Sequence, residues 1–216
     1  MLSGKKISII IPAYNEAGRI GNVLSKIPDF ADEIIVVDDG SKDNTAEVAK
    51  KYGAKVIRLK ENQGKGAAMN TGMKEATGDI IVFIDADGQH NPEEITKLLK
   101  PILQDEADFV IGSRLIKVQG KRPLIRKVSN FLSTSLIRLK LGINVKDTQS
   151  GFRALKREFL PEIESKRYEV ETELLIKAVK KGARVKEVPV ERIYGIETGH
   201  FRFEDVIRFL KVLFKY

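Results

Sequence analysis

The 216-residue chain predicts a single α/β domain, a mostly parallel central sheet flanked by helices. Three observations carry that reading. β-rich runs and helix-period runs alternate four times with short joins, as in βαβ units. The run Ile80-Ile81-Val82-Phe83-Ile84 is apolar at every position, as a strand buried on both faces must be. Three strands, the first, second and fourth, end in acid-bearing turns, and in a parallel sheet those ends share one edge.

Taken in order, Lys6 to Ile11 reads as the first strand, ended by Pro12-Ala13-Tyr14-Asn15-Glu16. Helical spacing through Ile20, Val23, Leu24 and Ile27 predicts a helix over 18–27. Glu33 to Val37 is the second strand and runs into Asp38-Asp39-Gly40-Ser41. Asp43 or Asn44 caps a helix over Thr45 to Tyr52, which Gly53 stops. A third strand, Lys55 to Leu59, leads through Asn62-Gln63-Gly64-Lys65-Gly66 into a helix ending near Gly78. The fourth strand is 80–84. Asn91-Pro92-Glu93-Glu94 opens the next helix, with Asn as cap, Pro first and acids in the first turn. Asp108 to Gly112 is the fifth strand. Beyond it come a basic loop over 117–123 and a helix over 124–141, with Val128, Phe131, Leu132, Ser135 and Leu139 as one inner stripe. Asp147 to Arg153 is a loop leading to a short strand, followed by a helix over 169–181. A last strand over 185–193 is interrupted by Pro189, and an amphipathic helix over 203–216 carries Phe203, Val206, Ile207, Leu210 and Leu213 on one side.

With no cysteine, the chain makes no disulfide, thiolate or Cys-based zinc site. Its apolar runs fall short of the roughly 18 residues that cross a bilayer, so no span is expected. The net charge of +8 is local. Between Asp108 and Asp147 there is no acid, yet nine bases occur: Arg114, Lys117, Lys121, Arg122, Arg126, Lys127, Arg138, Lys140 and Lys146. The remaining 29 bases against 30 acids leave a net −1. An anionic partner at one place on the protein is implied.

Asp85 and Asp87, two apart in an extended backbone, would project to the same side just past the fourth strand. Two hard oxygen donors there suit Mg²⁺ or Mn²⁺ when a phosphate completes the shell, and Gln89 adds a carbonyl. Asp39 is placed for a base or ribose contact, whereas Asp38 and Asp43 also read well as turn formers or caps. The first strand lacks the Gly-x-Gly-x-x-Gly of a dinucleotide fold. Gly64-Lys65-Gly66 gives a tight helix entry at which Lys65 could meet a phosphate. His90 and His200 are isolated and are expected to make local hydrogen bonds.

Six segments carry a resemblance. They are Pro12 to Glu16, Asp38 to Thr45, Asn62 to Gly66, Asp85-Ala86-Asp87, Gly112-Ser113-Arg114 and Ser150-Gly151-Phe152-Arg153. In this order they resemble the family 2 glycosyltransferases of the GT-A fold, nearest the dolichyl- or polyprenyl-phosphate sugar synthases. The likeness spans roughly residues 5 to 200. It implies a GT-A domain over 1–202, with a nucleotide-sugar half to about 114 and an acceptor half over 115–202, and a separate helix at 203–216. It also implies an inverting, metal-dependent transfer of a sugar from GDP-mannose or UDP-glucose, with UDP-N-acetylglucosamine open as well, to a polyprenyl or dolichyl phosphate in protein glycosylation. Carried over by position, Pro12, Ala13, Tyr14, Glu16 and Asp39 hold the nucleoside, and Asp85, Asp87 and Gln89 surround Mg²⁺ or Mn²⁺. Arg114, Arg126 and Asn130 face the acceptor phosphate, so Asp87, Arg114 and Arg126 are the expected catalytic residues. Arg192, with Arg202 as its alternative, lies near the donor diphosphate.

A lipid monophosphate is already an anion and needs charge compensation rather than a base, which the Arg-rich segment supplies. Two other readings compete. A saccharide hydroxyl acceptor would need a base such as Asp147 or Glu171. A nucleic-acid-binding module would use the basic segment 114–146, but it lacks a binding motif and aromatic platforms, so no nucleic acid is expected. The enzyme is expected in the cytoplasm, peripheral at the inner face of the cell membrane. Attachment would come from its own surface or from a membrane-protein partner, and 203–216 either packs on the core or lies at the interface.

Overall fold

The computed structural model describes residues 2–114, 134–167, 169–191, 193 and 203–216, the last stretch without the side chains of 203–205. Seven strands, β1 (Ile7–Ala13), β2 (Glu33–Asp38), β3 (Lys55–Arg58), β4 (Ile80–Phe83), β5 (Phe109–Ser113), β6 (Arg153–Lys156) and β7 (Val185–Pro189), form one sheet. Their order is β3-β2-β1-β4-β6-β5-β7. All pairings are parallel except those of β6, which runs antiparallel to β4 and β5.

Alternate residues of the central strands serve opposite faces. Ile9, Ile11 and Val82 pack under α1 (Ile20–Leu24) and α4 (Ile95–Leu103), meeting Val23, Leu98 and Leu99. Ala49 of α2 (Thr45–Lys51) joins that cluster. Ile10, Ile81 and Phe83 face the other way, toward Met69 of α3 (Lys65–Glu75) and Leu174 of α6 (Val170–Lys180). Ile137 of α5 (134–141, the described part of a helix) and Phe209, Val212 and Leu213 of α7 (Phe203–Lys215) complete that second cluster. With both faces covered, an unbroken apolar run at β4 follows.

Several boundaries move. α1 stops at Leu24, but Ile27 still reaches the core from a turn whose N–H donates to the Leu24 carbonyl. The apolar spacing registered burial, not helix length. Asn91 caps as expected, accepting from Glu93 N, but opens a short 3-10 turn (Pro92–Glu94) ahead of α4. β7 ends at Pro189, after which Ile193 donates to the Gln89 carbonyl at 3.0 Å.

Two helix stripes were misread. On α7 the buried residues are Phe209, Val212 and Leu213, with Val206 and Leu210 half-buried and Ile207 exposed. On α5 Thr134 and Ile137 are buried and Leu139 points to solvent, while Val128, Phe131 and Leu132 of the expected stripe lie outside the described residues. Apolar residues surround most of each helix, so a 3.6-residue period admits more than one inward face.

The entry to α3 is packed against the segment before α6. A Cβ on Gly66 would lie 1.8 Å from the Ser165 carbonyl oxygen, and one on Gly64, itself at φ 97°, 2.4 Å from that of Lys166. Gly66→Ala is therefore expected to cost about 1–3 kcal/mol of stability. Chemical denaturation reads this directly, and an unchanged midpoint would contradict the close approach.

Candidate active site

The chain leaves β1 for β2 and β3 on one side and returns to β4 on the other. The carboxyl ends of β1 and β4 thus flank the topological switch point, where open α/β sheets take ligands. β1 delivers Tyr14 to Glu16 there, and β4 delivers Asp85 to Gln89. Because β6 is antiparallel, with Arg153 opposite both Phe83 and Ile111, its incoming loop meets the same rim. β5 leaves that rim with Arg114.

The turns after β1 and β2 are laced together. Asn15 N donates to Ser41 Oγ (2.9 Å), Lys42 N to Asn15 Oδ1 (2.8 Å), Glu16 N to Thr45 Oγ1 (2.8 Å) and Ala17 N to Asp43 Oδ2 (3.1 Å). Asn15 takes φ 56°, a left-handed position that Asn tolerates. Pro12 and Ala13 lie within β1, and Tyr14 is left exposed at its end. Asp38 is a buried turn former that accepts from Ser41 N at 2.9 Å. Asp39 is also buried, and both its oxygens receive backbone N–H groups, from Gln63 and Gly64 at 2.8 Å each. Its first task is to hold the 62–64 loop against β2. Burial raises the carboxyl pKa of Glu16 against the opposing Arg19, and the charges of Asp87 and Asp43 push the same way.

Asp85 and Asp87 do converge on the rim, but not by strand geometry. β4 ends at Phe83, and the two acids sit in a turn that Asp87 Oδ1 closes by accepting from Gln89 N at 2.9 Å. The residue Gln89 is buried. Lys65 Nζ stands 2.6 Å from Asp85 Oδ1 and 2.6 Å from Glu171 Oε1. Burial disfavours the Asp85 carboxylate, yet Lys65, with His90 and Arg114 adding, holds its carboxyl below the ordinary value. Burial and the neighbouring Asp85 charge push Asp87 up. A Cβ on Gly151 would come 2.2 Å from Asp85 Oδ2, so only glycine lets the incoming loop lie against this carboxylate.

That loop is held by Arg153, which is fully buried. Its guanidinium donates to the carbonyls of Ser150 (2.5 Å), Thr148 (2.6 Å) and Glu171 (2.5 Å) and lies 5.7 Å from the Phe109 ring centre. Burial lowers its pKa to about 10, so it remains charged. Arg114 forks onto buried Asp147, with Nε–Oδ2 at 2.9 Å, Nη2–Oδ1 at 3.0 Å and the backbone N–H at 3.1 Å from Oδ2. Burial opposes the Asp147 carboxylate, but the Arg114 charge keeps its pKa low. His90 was expected to bond locally; instead its Nδ1 is buried without a partner, as is Thr148 Oγ1. Burial, with the Arg114 charge adding, lowers His90 to about 3, so its ring is neutral at working pH. Arg126, Asn130, Arg192, Arg202 and His200 lie outside the described residues.

The sequence reading missed Glu171 as the second anchor of Lys65 and Asp147 as the seat of Arg114. No local signal links partners 106 and 33 positions apart. A cleft of about 620 Å³ opens between residues 61–64, Ala67 and Asn70 of α3, and 163–167. It borders the loop that Asp39 holds, and its walls do not include Asp85 or Asp87. Among the described residues, no group of three or more His, Cys, Asp or Glu could hold a metal. The acid pair nonetheless fits a divalent ion that shares its shell with phosphate. Two hard carboxylates stand close enough for one to raise the other's pKa, a repulsion that a dication relieves.

Residues 8–164 match the family described as Glycosyl transferase family 2. A UDP-N-acetylglucosamine--dolichyl-phosphate N-acetylglucosaminyltransferase of Methanococcus voltae is 39% identical over 220 residues, covering 89% of this chain and 88% of that protein. A dolichol-phosphate mannosyltransferase of Pyrococcus furiosus is 39% identical over 199 residues, covering 85% of this chain and 55% of the other. Among solved structures, glucosyl-3-phosphoglycerate synthase of Mycobacterium tuberculosis, in complex with Mn²⁺, UDP-glucose and phosphoglyceric acid, superposes with a TM-score of 0.78 at 27% identity. That superposition covers 99% of this chain and 80% of that one. The chain belongs to glycosyltransferase family 2. It is a glycosyltransferase on a GT-A fold.

Removing the Arg114 charge tests its pairing with Asp147. Asp147 has a depressed pKa when folded, so the pair adds stability above the unfolded carboxyl range near 3.9, about the value in model peptides, and loses it as pH falls through the folded value. Arg114→Met leaves a buried carboxylate unpaired and should cost about 3–5 kcal/mol at pH 7. The unpaired group takes up a proton more readily, so the gap to wild type should narrow on acidification. Urea melts at pH 7 and pH 5 check this, and a gap independent of pH would contradict the pairing.

Proposed function

We propose that this enzyme transfers a sugar from a nucleoside diphosphate to a polyprenyl or dolichyl phosphate. One observation carries the reading. The rim sets an acid pair under the switch point, while the two acids that could serve an acceptor hydroxyl are taken, Asp147 by Arg114 and Glu171 by Lys65. Asp147, held in a buried ion pair that depresses its pKa, is a poor proton acceptor, and Glu171 is committed to Lys65. A phosphate nucleophile needs none.

On this reading the laced turns of Tyr14, Glu16 and Asp39, with Pro12 and Ala13 behind them, receive the nucleoside. Asp85, Asp87 and Gln89 would hold Mg²⁺ or Mn²⁺. Such an ion, when bound, supplies Lewis-acid stabilisation of the departing diphosphate. Lys65, at the N-terminus of α3, adds a cation beside the same oxygens. Arg114, Arg126 and Asn130 orient the acceptor phosphate opposite the leaving group, so that displacement at the anomeric carbon inverts it, and Arg192 or Arg202 compensates the donor. The fork of Arg114 is largely spent on Asp147, which puts more of the acceptor charge on Arg126. Uridine diphosphate donors are favoured, because both the Methanococcus relative and the mycobacterial structure name them. GDP-mannose is the alternative, as the Pyrococcus relative is a mannosyltransferase.

Among the described residues no helix is long and apolar enough to cross a membrane. On the lipid-phosphate reading the enzyme would meet its acceptor at the cytoplasmic face of the membrane, where the dolichyl-phosphate relatives suggest the reaction lies. A saccharide-hydroxyl acceptor is the second reading; a non-lipid acceptor is supported by the mycobacterial glucosyl-3-phosphoglycerate synthase, whose structure holds phosphoglyceric acid beside UDP-glucose.

Incubation of UDP-N-acetylglucosamine, UDP-glucose and GDP-mannose with a short polyprenyl phosphate and Mn²⁺ should give transfer from a uridine donor. Asp87→Ala should lose roughly 100-fold or more in kcat, since several kcal/mol of charge stabilisation are at stake. Chelator should abolish turnover, and undiminished turnover in chelator and in Asp87→Ala would remove the metal assignment. Arg126→Ala should lower transfer to the prenyl phosphate about tenfold or more. Transfer to a saccharide alone, indifferent to that change, would select the second reading.

A further inference from the structure

Lys65 is shared between two acids that differ in their access to solvent. Its Nζ lies 2.6 Å from Asp85 Oδ1 and 2.6 Å from Glu171 Oε1. The side chains of Lys65 and Asp85 are each 27% exposed, whereas that of Glu171 is 7% exposed. The Glu171 end of the bridge is thus sunk in the protein, and the Asp85 end opens on the rim. Asp85 Oδ2 lies nearer the loop at Gly151 than Oδ1 does, 2.2 against 2.9 Å from a Cβ built there. The less crowded oxygen is therefore the one that Lys65 holds. Mg²⁺ ligates oxygen at about 2.0–2.1 Å, so an ion on Oδ1 would stand against an ammonium already in contact with that oxygen. Two like charges at a partly buried site are poorly screened from each other. Lys65 has somewhere to go. Its charge sits on a flexible four-carbon stem, and Glu171 keeps it partnered after it leaves Asp85, as a buried charge requires.

We infer that Lys65 is an internal counter-ion that a divalent cation displaces from Asp85, moving to Glu171 and the donor diphosphate, so that metal and nucleotide binding are coupled. This deepens the proposed metal and donor assignments and rests on them. After the exchange every carboxylate of the group is still compensated, Glu171 by Lys65 and the Asp85/Asp87 pair by the divalent ion. A diphosphate that draws the ammonium away from Asp85 strengthens metal binding, and by linkage the metal strengthens diphosphate binding by the same factor.

Mn²⁺ titrations followed by electron paramagnetic resonance, with no acceptor and no turnover, read the competition. Lys65→Met should bind Mn²⁺ about tenfold more tightly than wild type, and UDP should then strengthen metal binding by about tenfold less. Glu171→Gln leaves the ammonium to Asp85 alone and should weaken Mn²⁺ binding several-fold. Lys65→Met combined with Glu171→Gln removes one charge of each sign and spares the fold an unpaired buried Glu171. Competition predicts that this double variant still binds Mn²⁺ more tightly than wild type. A diffuse field effect predicts wild-type affinity there, and that result would overturn the proposal. In wild type, the side-chain ammonium NMR signal of Lys65, identified by its shift in Glu171→Gln, should move when Mg²⁺ and UDP are added. A signal that stays in place while the metal binds would equally rule the exchange out. Chelator-sensitive transfer together with unaltered Mn²⁺ affinity in the double variant would sink the lysine exchange alone. Tighter metal binding in that variant, from a wild type that transfers to no prenyl phosphate, would sink the acceptor reading and support the exchange. No Mn²⁺ bound by any of these proteins, even with UDP, would remove the metal assignment and the exchange with it.

Discussion

The Lys65 ammonium between Asp85 and Glu171 is the interaction on which the rim depends. It joins the start of α3, the turn after β4 and the first turn of α6. One cation bridges two carboxylates that would otherwise repel at close range, and it keeps the Asp85 carboxyl below its ordinary pKa against the opposing effect of burial. Partly buried, the contact is worth more than a surface pair and costs more to break. Its geometry requires glycines at two approaches. Gly66 admits the Ser165 carbonyl beside α3, and Gly151 admits the loop before β6 beside Asp85. The motif glycines therefore serve the convergence of elements around a charge, in addition to any turn they make.

The opposite part of the rim is built on the same logic with the signs exchanged. There two arginines are sunk into the protein, Arg153 on three carbonyls and Arg114 on Asp147. Buried charges of this kind persist only when hydrogen-bonded on most of their donors. The result is a rigid wall, the Arg114 charge met by Asp147 and that of Arg153 met by carbonyls, beside a neutral His90.

Helix patterning was legible only in part, and α5 and α7 show why. Both are rich in apolar residues around most of their circumference, because each serves a core on one side and leaves Leu139 or Phe214 on the other. Periodicity reports that a helix has an apolar face. When it has two, only the neighbours decide which one turns inward. The same holds for Ile27, read as helix and found in a turn, since burial was the property the spacing encoded.

What the sequence determined by itself is the local chemistry: the alternating strands and helices, the acid-bearing turns at the ends of β1, β2 and β4, and the acid-free basic stretch. Each follows from residues within a few positions of one another, where period, turn preference and capping act. The tertiary structure alone decided the antiparallel course of β6. Had that strand run parallel, its incoming loop, with Asp147, Gly151 and Arg153, would have entered from the opposite edge of the sheet, away from Asp85. Strand direction is set by which edge remains open and which loop can reach it, a long-range choice that residues 147–156 do not encode on their own.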